Sequence, residues 1–531
     1  MSGAMTMGNV FRQAVTRFPE RTAIVDPDGG VRYTYSEWND RVNDVGAALR
    51  ASGIEPGDCV GAIMENREEL LTLYWAAQQL GAAFVPFNFR AAGGEVSFLT
   101  NNVGASILFF SDVSREAVLA GTDDFEATEE IVSVDEAPEG ATSMESFLER
   151  GDAFDPDPVD PEDTSLILHT SGTTGNPKGV PISHRANYAR TMGNPIELDW
   201  LQGEKTLGIM PNFHEMGRAA MSSAALLNGT YIAMRKWSPE RACQLIEAEE
   251  IEILYLVPTL FHDLVDYEGI EDYDLSSVRT VSYAGTAMSE RVHEEVREIF
   301  EPQSFTNFYG SSEMNAMATC PWLDEKPGCA GRAGIHTQVR VVTPVEGETV
   351  PPDQTVEPGE LGEIILDANS AEAFDGYLNR PEANETSFED GWYFTGDLGY
   401  KDEDGDLWVV GRVDDMIISG GENIYPVEIE DLLDSHELVA DVAVGSLADD
   451  RWGEAVTAYV TVDGDVDYEE AARTLDEFCK TSDRLANFKR PRRYVFVDSV
   501  PKSNVGKKLR RKLRAEDLED IAVNISASVE P

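Results

Sequence analysis

The first third of the chain keeps changing its hydrophobic period, and that alternation restricts the available folds more than any other feature. Ser36 is placed to cap a helix on which Val42, Val45 and Leu49 share one face, with Gly53 ending it. Val60–Met64 then reads as a strand, residues 66–80 as a second helix, and Ala82–Phe87 as another apolar strand. Helices alternating with short apolar strands predict an α/β fold with layered sheets and parallel strands. At 531 residues the chain exceeds what one hydrophobic core normally serves, so more than one domain is expected.

Breaks in the pattern suggest where the chain divides. Residues 151–163 (GDAFDPDPVDPED) are acidic and proline-rich, which marks an exposed connection leading into an apolar strand, Ser165–His169. Residues 350–362 read as a hairpin or loop region. The clearest late boundary lies around Gly411–Asp415, after the strand LWVVG. A helix over Pro426–Leu433 and a strand over Ala440–Gly445 open a smaller α+β unit beyond it.

Charge excludes several functions. There are 97 acidic against 42 basic residues, a net charge of −55, which argues against a general nucleic-acid or anionic-lipid binder. Hydrophobic content of 42% supplies ample core. Only 11 of the basic residues are Lys, none before Lys178, and this acid-rich surface favours a halophilic host, where salt screens self-repulsion. Five scattered cysteines form no CxxC pair. The first residues carry no basic-then-apolar leader, and no apolar run is long enough to span a bilayer, so a cytoplasmic location is expected.

One loop carries strong chemistry. Thr170-Ser171-Gly172-Thr173-Thr174-Gly175-Asn176-Pro177-Lys178-Gly179 follows the apolar strand directly. Its glycines let backbone N–H groups approach an anion, its hydroxyls add donors, and Lys178 adds a point charge. A phosphate-binding loop is the reading this supports. It is not a Walker A loop, because Pro177 precedes the Lys and Gly179 follows it.

The segment resembles the phosphate loop of the adenylate-forming (ANL) superfamily, which includes AMP-dependent acyl-CoA synthetases, and further motifs follow in the family order. Tyr309-Gly310-Ser311-Ser312-Glu313 is similar to the segment that closes over the nucleotide. There Glu313 would be a carboxylate for Mg²⁺, Ser312 an α-phosphate donor and Tyr309 a ring face for adenine. Gly285 and Thr286 resemble the adenine-side segment more loosely. Tyr393–Gly399 resembles the ribose motif, with Asp397 accepting from the ribose hydroxyls and Arg412 as a second contact. Phe213-His214-Glu215-Met216-Gly217 resembles the acyl-pocket motif, which implies a catalytic-site role for His214, its ring walling the carboxylate and opening or shutting the thiol path. His214 stands where amino-acid-activating relatives have Asp, although Glu215 beside it keeps an amino-acid substrate open.

The resemblance also divides the chain. It implies an adenylation domain over 1–411, a hinge over 412–416 centred on Asp414, and a small mobile lid domain over 417–531. The lid would carry the catalytic Lys507, with adjacent Lys508 an alternative, and a thioester-step loop at Gly420, Gly421 and Glu422. Between Arg484 and Arg514 lie twelve Lys or Arg against one Asp, read as delivering Lys507 to ATP and offering cations to CoA phosphates through Arg492, Arg493 and Arg511.

The implied activity is ATP-dependent ligation of a carboxylic acid to CoA through acyl-AMP, with ATP, Mg²⁺ and CoA required. Two alternatives stand beside it: an amino-acid or aryl adenylating enzyme that loads a carrier protein, and a non-catalytic nucleotide-binding homologue. The acid could be short-chain, fatty or aromatic. Oligomeric state is left open, a homodimer included.

Overall fold

The computed structural model describes residues 5–170, 177–344, 349–420, 422–449, 451–462, 464, 466–482, 484–502, 508–510, 513 and 523–528. Of those, nothing is said of the side chains of 414, 422, 423 and 523–528.

The alternation in the first third folds as expected. Strands Cys59–Ile63, Ala83–Pro86, Ala105–Phe110, Glu130–Ser133 and Thr164–Thr170 lie parallel in one seven-stranded sheet, closed at one edge by the antiparallel strand Lys178–Ser183. The helix Glu68–Leu80 joins two of them and is buried almost all round, consistent with its apolar run. A second, nine-stranded sheet has a parallel centre built from Thr22–Asp26, Thr230–Ala233, Lys205–Gly208, Ile253–Leu256, Thr280–Ala284 and Ser304–Ser311. Parallel strands of this kind need both faces covered, and the helices between them supply the cover.

The helix containing Val42, Val45 and Leu49 spans Tyr35–Ala51, and all three side chains are buried. Its cap is Thr34, not Ser36. The Thr34 hydroxyl accepts from Glu37 N while Glu37 Oε2 accepts from Thr34 N at 2.8 Å, a reciprocal pair that leaves Ser36 inside the first turn. This helix, Met7–Arg17 and Glu68–Leu80 meet where the Phe11 ring stacks on Trp75 (5.0 Å) and meets Trp38 edge-on (5.2 Å).

A third, antiparallel sheet of Val339–Val342, Gly362–Asp367, Phe388–Glu389, Trp392–Lys401 and Leu407–Arg412 follows, and the 350–362 loop region lies within it. After Leu407–Arg412 comes a short 3₁₀ turn, Val413–Asp415. Beyond it, a six-stranded mixed sheet packs with the helices Pro426–Asp434 and Tyr468–Thr481 around a core of its own, including Ile417, Ile429, Val444, Ala458, Leu475 and Phe496. The strand expected at Ala440–Gly445 runs longer, Asp441–Asp449, because it pairs along its whole length with Gly453–Thr461. No described helix is long and apolar enough to cross a membrane.

Candidate active site

In parallel α/β sheets, ligands bind beyond the carboxyl ends of the strands, where loops and free N–H groups converge. Most motifs singled out in the sequence sit at such ends. Thr170 closes Thr164–Thr170 before the phosphate loop, and Gly285 and Thr286 form an exposed turn after Thr280–Ala284. Tyr309 and Gly310 end Ser304–Ser311, with Ser312 and Glu313 in the turn that follows. His214 begins the helix Glu215–Leu226. Ser171, Gly172, Thr173, Thr174 and Gly175 lie outside the described residues, as do Gly421 and Lys507.

Two candidate residues, Tyr309 and Arg412, converge on the carboxylate of a third, Asp397. Asp397 Oδ2 accepts from the Tyr309 hydroxyl at 2.6 Å, and Oδ1 accepts from Arg412 Nη1 at 2.8 Å. Asp397 and Arg412 face each other across paired strands, and Gly396 makes their contact possible. Its φ of +70° suits glycine, and a Cβ there would meet Arg412 Nη2 at 2.7 Å. Two donors therefore orient Asp397 from opposite sides. Tyr309, expected to offer its ring to adenine, also places its hydroxyl on the ribose-type carboxylate, a contact the sequence did not reveal. Burial, and then the neighbouring Asp397 charge, hold that phenol neutral, far above its ordinary value.

A second cluster surrounds Glu313. Its Oε1 accepts from the Tyr377 hydroxyl at 2.9 Å, and that hydroxyl lies 3.0 Å from the hydroxyl of Tyr393. Lys178 Nζ sits 4.5 Å from the centre of the Tyr377 ring. The phosphate-loop lysine and the candidate Mg²⁺ carboxylate thus share one aromatic neighbour. Glu313 Oε2 carries no hydrogen bond among the described residues. A hard oxygen donor that shares Tyr377 with Lys178 fits a magnesium–triphosphate group. Tyr377 went unnoticed in the sequence, because a single tyrosine between loops has no local pattern.

In the candidate acyl-pocket segment, the His214 ring lies 4.6 Å from that of Phe213, and burial lowers its pKa to about 4, so the imidazole is neutral near pH 7. Glu215 is not free to receive a substrate ammonium in the way the sequence allowed. Its Oε2 lies 3.4 Å from Arg190 and its Oε1 pairs with Arg218, making it the shared counter-ion of two buried arginines. His169 and His184 are also lowered to about 4 by burial, while Glu372 raises His336.

These shifts set an acid limit. Below the ordinary histidine value of 6.5 the unfolded chain takes up protons that His169, His184 and His214 refuse until about pH 4. Stability present above pH 6.5 is therefore lost as pH falls through that window, at about 1.4 kcal/mol per pH unit for each fully neutral imidazole. His336 works in the opposite sense. Urea midpoints of unfolding measured at pH 7 and pH 5 should drop accordingly, and equal midpoints would contradict these assignments.

In the smaller unit, Ser419 pairs with Glu422, and Gly420 turns the chain between them with φ +64°. Gly420 N donates to Trp452 O at 2.8 Å, and a Cβ on Gly420 would meet the Trp452 ring at 2.9 Å. The Asp414 backbone lies in the 3₁₀ turn. Much of the basic stretch is neutralised locally rather than presented as free cations. Lys489 pairs with Glu428, Arg490 with Asp476, Arg493 with Asp449 (3.1 Å) and Lys502 with Asp441 (2.7 Å). Lys508 (3.1 Å) and Arg510 (2.6 Å) both reach Glu430, whose side chain is only 4% exposed. The acids lie outside the stretch, 14 to 80 residues from their partners, so the local count overstated the available charge. Arg511 is outside the described residues, whereas Arg492 lies over the Trp452 ring (5.4 Å) beside Arg451 (4.7 Å).

Residues 11–378 match the AMP-binding enzyme family and residues 428–507 match the AMP-binding enzyme C-terminal domain. The indoleacetate–CoA ligase of Aromatoleum aromaticum is 35% identical over 512 residues, 92% of this chain and 94% of that protein. The 4-chlorobenzoate–CoA ligase of an Arthrobacter species is 33% identical over 506 residues, 94% of this chain and 92% of that one. Among solved structures, the o-succinylbenzoate coenzyme A synthetase of Bacillus subtilis, in complex with ATP and magnesium ion, superposes with a TM-score of 0.82 at 28% identity. That alignment covers 95% of this chain and 99% of the other.

Proposed function

This chain belongs to the AMP-binding enzyme family, and from that premise we infer an AMP-forming acyl-CoA synthetase, an acid–thiol ligase working through acyl-AMP. The observation that carries the reading is the Tyr309–Asp397–Arg412 constellation standing with the Glu313–Tyr377–Lys178 cluster.

The chemistry explains the residues. A carboxylate is a poor acyl donor, and joining it to AMP makes a mixed anhydride with a phosphate leaving group. The difficulty is electrostatic, since a carboxylate must attack the α-phosphorus of an already anionic triphosphate. Asp397, oriented by Tyr309 and Arg412, would hold the ribose. Lys178 and the phosphate-loop amides would take the departing pyrophosphate, and Lys507 would bridge the carboxylate and the α-phosphate. Glu313 would hold Mg²⁺, which supplies positive charge to phosphate oxygens when bound. The CoA thiol then attacks the acyl carbon and AMP leaves.

The division into 1–411, a hinge at 412–416 and a lid over 417–531 is supported by the separate core of the last part. Rotation about Asp414 would withdraw Lys507 and bring Gly420, Gly421 and Glu422 to the thiol. Engagement of Lys508 by Glu430 favours Lys507 as the catalytic amine. The acidic exterior suits concentrated salt. The Glu215–arginine pairing favours an acid without an α-ammonium over an amino acid. Screening aryl, arylacetic, short-chain and fatty acids for CoA-dependent pyrophosphate release tests the function, and silence across the panel would revive the non-catalytic reading.

For CoA, the reading keeps Arg492 and Arg511, with Arg493 taken by Asp449, and Arg492 is the one of the two that the structure describes. Arg492→Ala is expected to raise KM for CoA about tenfold, the loss of one charge-assisted phosphate contact. Pyrophosphate release without CoA should not change. An unaltered KM for CoA would contradict the assignment.

A further inference from the structure

Arg190, on the helix His184–Glu197, has a side chain with no exposed surface. Its guanidinium spends its donors on three backbone carbonyls. Nε donates to Glu372 O (2.8 Å), Nη1 to Ser312 O (2.8 Å) and Nη2 to Glu313 O (3.0 Å). Only the planar fork of arginine offers donors in these directions from one group. The remaining neighbour of Nη1 is Glu215, at 3.4 Å, immediately after His214.

The turn receiving these bonds is gripped from its other end as well. The Glu372 carboxylate accepts from Asn315 Nδ2 (2.7 Å) and Ala316 N (3.2 Å), and Phe374 N donates to Glu313 O (3.0 Å). Asn315 itself sits at φ +53°, a conformation that costs energy for a residue with a side chain. A turn so constrained fixes where the Glu313 carboxylate emerges, and that carboxylate faces Tyr377 beside Lys178.

We propose that Arg190 is a positioning residue for the adenylation step. It locks the Ser312–Glu313 backbone so that the Glu313 carboxylate meets the magnesium–triphosphate, and through Glu215 it ties that turn to the acyl-side segment at His214. This rests on the reading of Glu313 given above. Arg190 touches no reactant. Its effect is geometric, and displacing a reacting group by about 1 Å can cost about a hundredfold in rate. Thioester formation needs neither pyrophosphate departure nor its metal, so it should depend on the lock far less, through Ser312 at the α-phosphate alone.

The test compares R190K, R190Q and E313Q in the full chain. R190K keeps a positive charge opposite Glu215 but replaces the fork with one ammonium. R190Q leaves Glu215 balanced by Arg218 alone, so at least one variant avoids an unpaired buried charge. Equilibrium binding of ATP with and without Mg²⁺ gives the affinity gained from the metal, and pyrophosphate release gives adenylation. Acyl adenylate supplied with CoA reports the second half-reaction alone.

Both Arg190 variants should lose about tenfold of the metal-dependent gain and about a hundredfold in adenylation kcat. Their thioester formation should fall by no more than about tenfold, a clearly smaller loss than in adenylation. A folded R190K or R190Q with normal adenylation and a normal metal-dependent gain would overturn the proposal. So would equal losses in both half-reactions, the mark of a purely structural residue. If E313Q keeps its full metal-dependent gain, the reading of Glu313 fails and this inference fails with it. An impaired E313Q beside a normal R190K would overturn the positioning role alone.

Discussion

Replacing Lys507 with Met should slow acyl-adenylate formation about 10²–10³-fold while leaving ATP binding and the conversion of supplied acyl adenylate to acyl-CoA nearly intact. The size follows from removing one pre-placed cation that neutralises charge developing between two anions, where a single donor is worth several kcal/mol. The selectivity follows from the domain argument, because the lysine is needed only while carboxylate and triphosphate react. Lys508→Met is the control. Lys508 is tied to Glu430, and Glu430 keeps Arg510 at 2.6 Å and the Val444 N–H at 2.7 Å. Its loss should cost about 1 kcal/mol of lid stability and little activity. Single-turnover measurement of each half-reaction decides the matter. A Lys507→Met enzyme that adenylates normally, or a Lys508→Met enzyme that fails where Lys507→Met does not, would exchange the two roles.

Asp397→Ala should behave differently, impairing both half-reactions. The ribose is present in ATP and in the acyl adenylate alike, so a residue that holds it serves both. Hydrogen bonds to a charged acceptor contribute about 1.5–3 kcal/mol each, and two ribose contacts place the loss near 10²–10⁴-fold in kcat/KM for ATP. The Tyr309 hydroxyl and Arg412 would also lose their common partner, so Asp397→Asn, which keeps one oxygen, should fall between. Equilibrium AMP binding provides the check. Wild-type AMP affinity in Asp397→Ala would remove Asp397 from the nucleotide site.

The contrast between these variants reflects what one sequence can carry. The 170–179 segment, the Tyr309–Glu313 segment and the Asp397 motif stood out in the sequence because the anion and ribose binding proposed for them demands particular residue types in short contiguous runs. Helix and strand alternation was legible for the same local reason. The Thr34 cap was also present in the sequence, as a Thr followed three residues later by Glu37, yet Ser36 stood closer to the helical stripe and drew the assignment.

Arg190 and Tyr377 were not legible. Each matters through partners more than sixty residues away, Glu313 in both cases. A buried arginine in a helix looks like any solvated one until the fold supplies its carbonyls. The basic stretch misled for the converse reason. Its count was right, but Glu428, Glu430, Asp441, Asp449 and Asp476 approach it only in three dimensions.

The central claim is that one site joins an acid to a thiol through an adenylate. Its most direct measurement is product stoichiometry with ATP, CoA and an acid found active in the panel, followed by quantifying AMP, pyrophosphate and acyl-CoA together. The account predicts the three in equal amounts, with acyl-CoA formation abolished by omitting any one substrate. ADP and inorganic phosphate in their place, or AMP release at full rate with no thiol present, would contradict it.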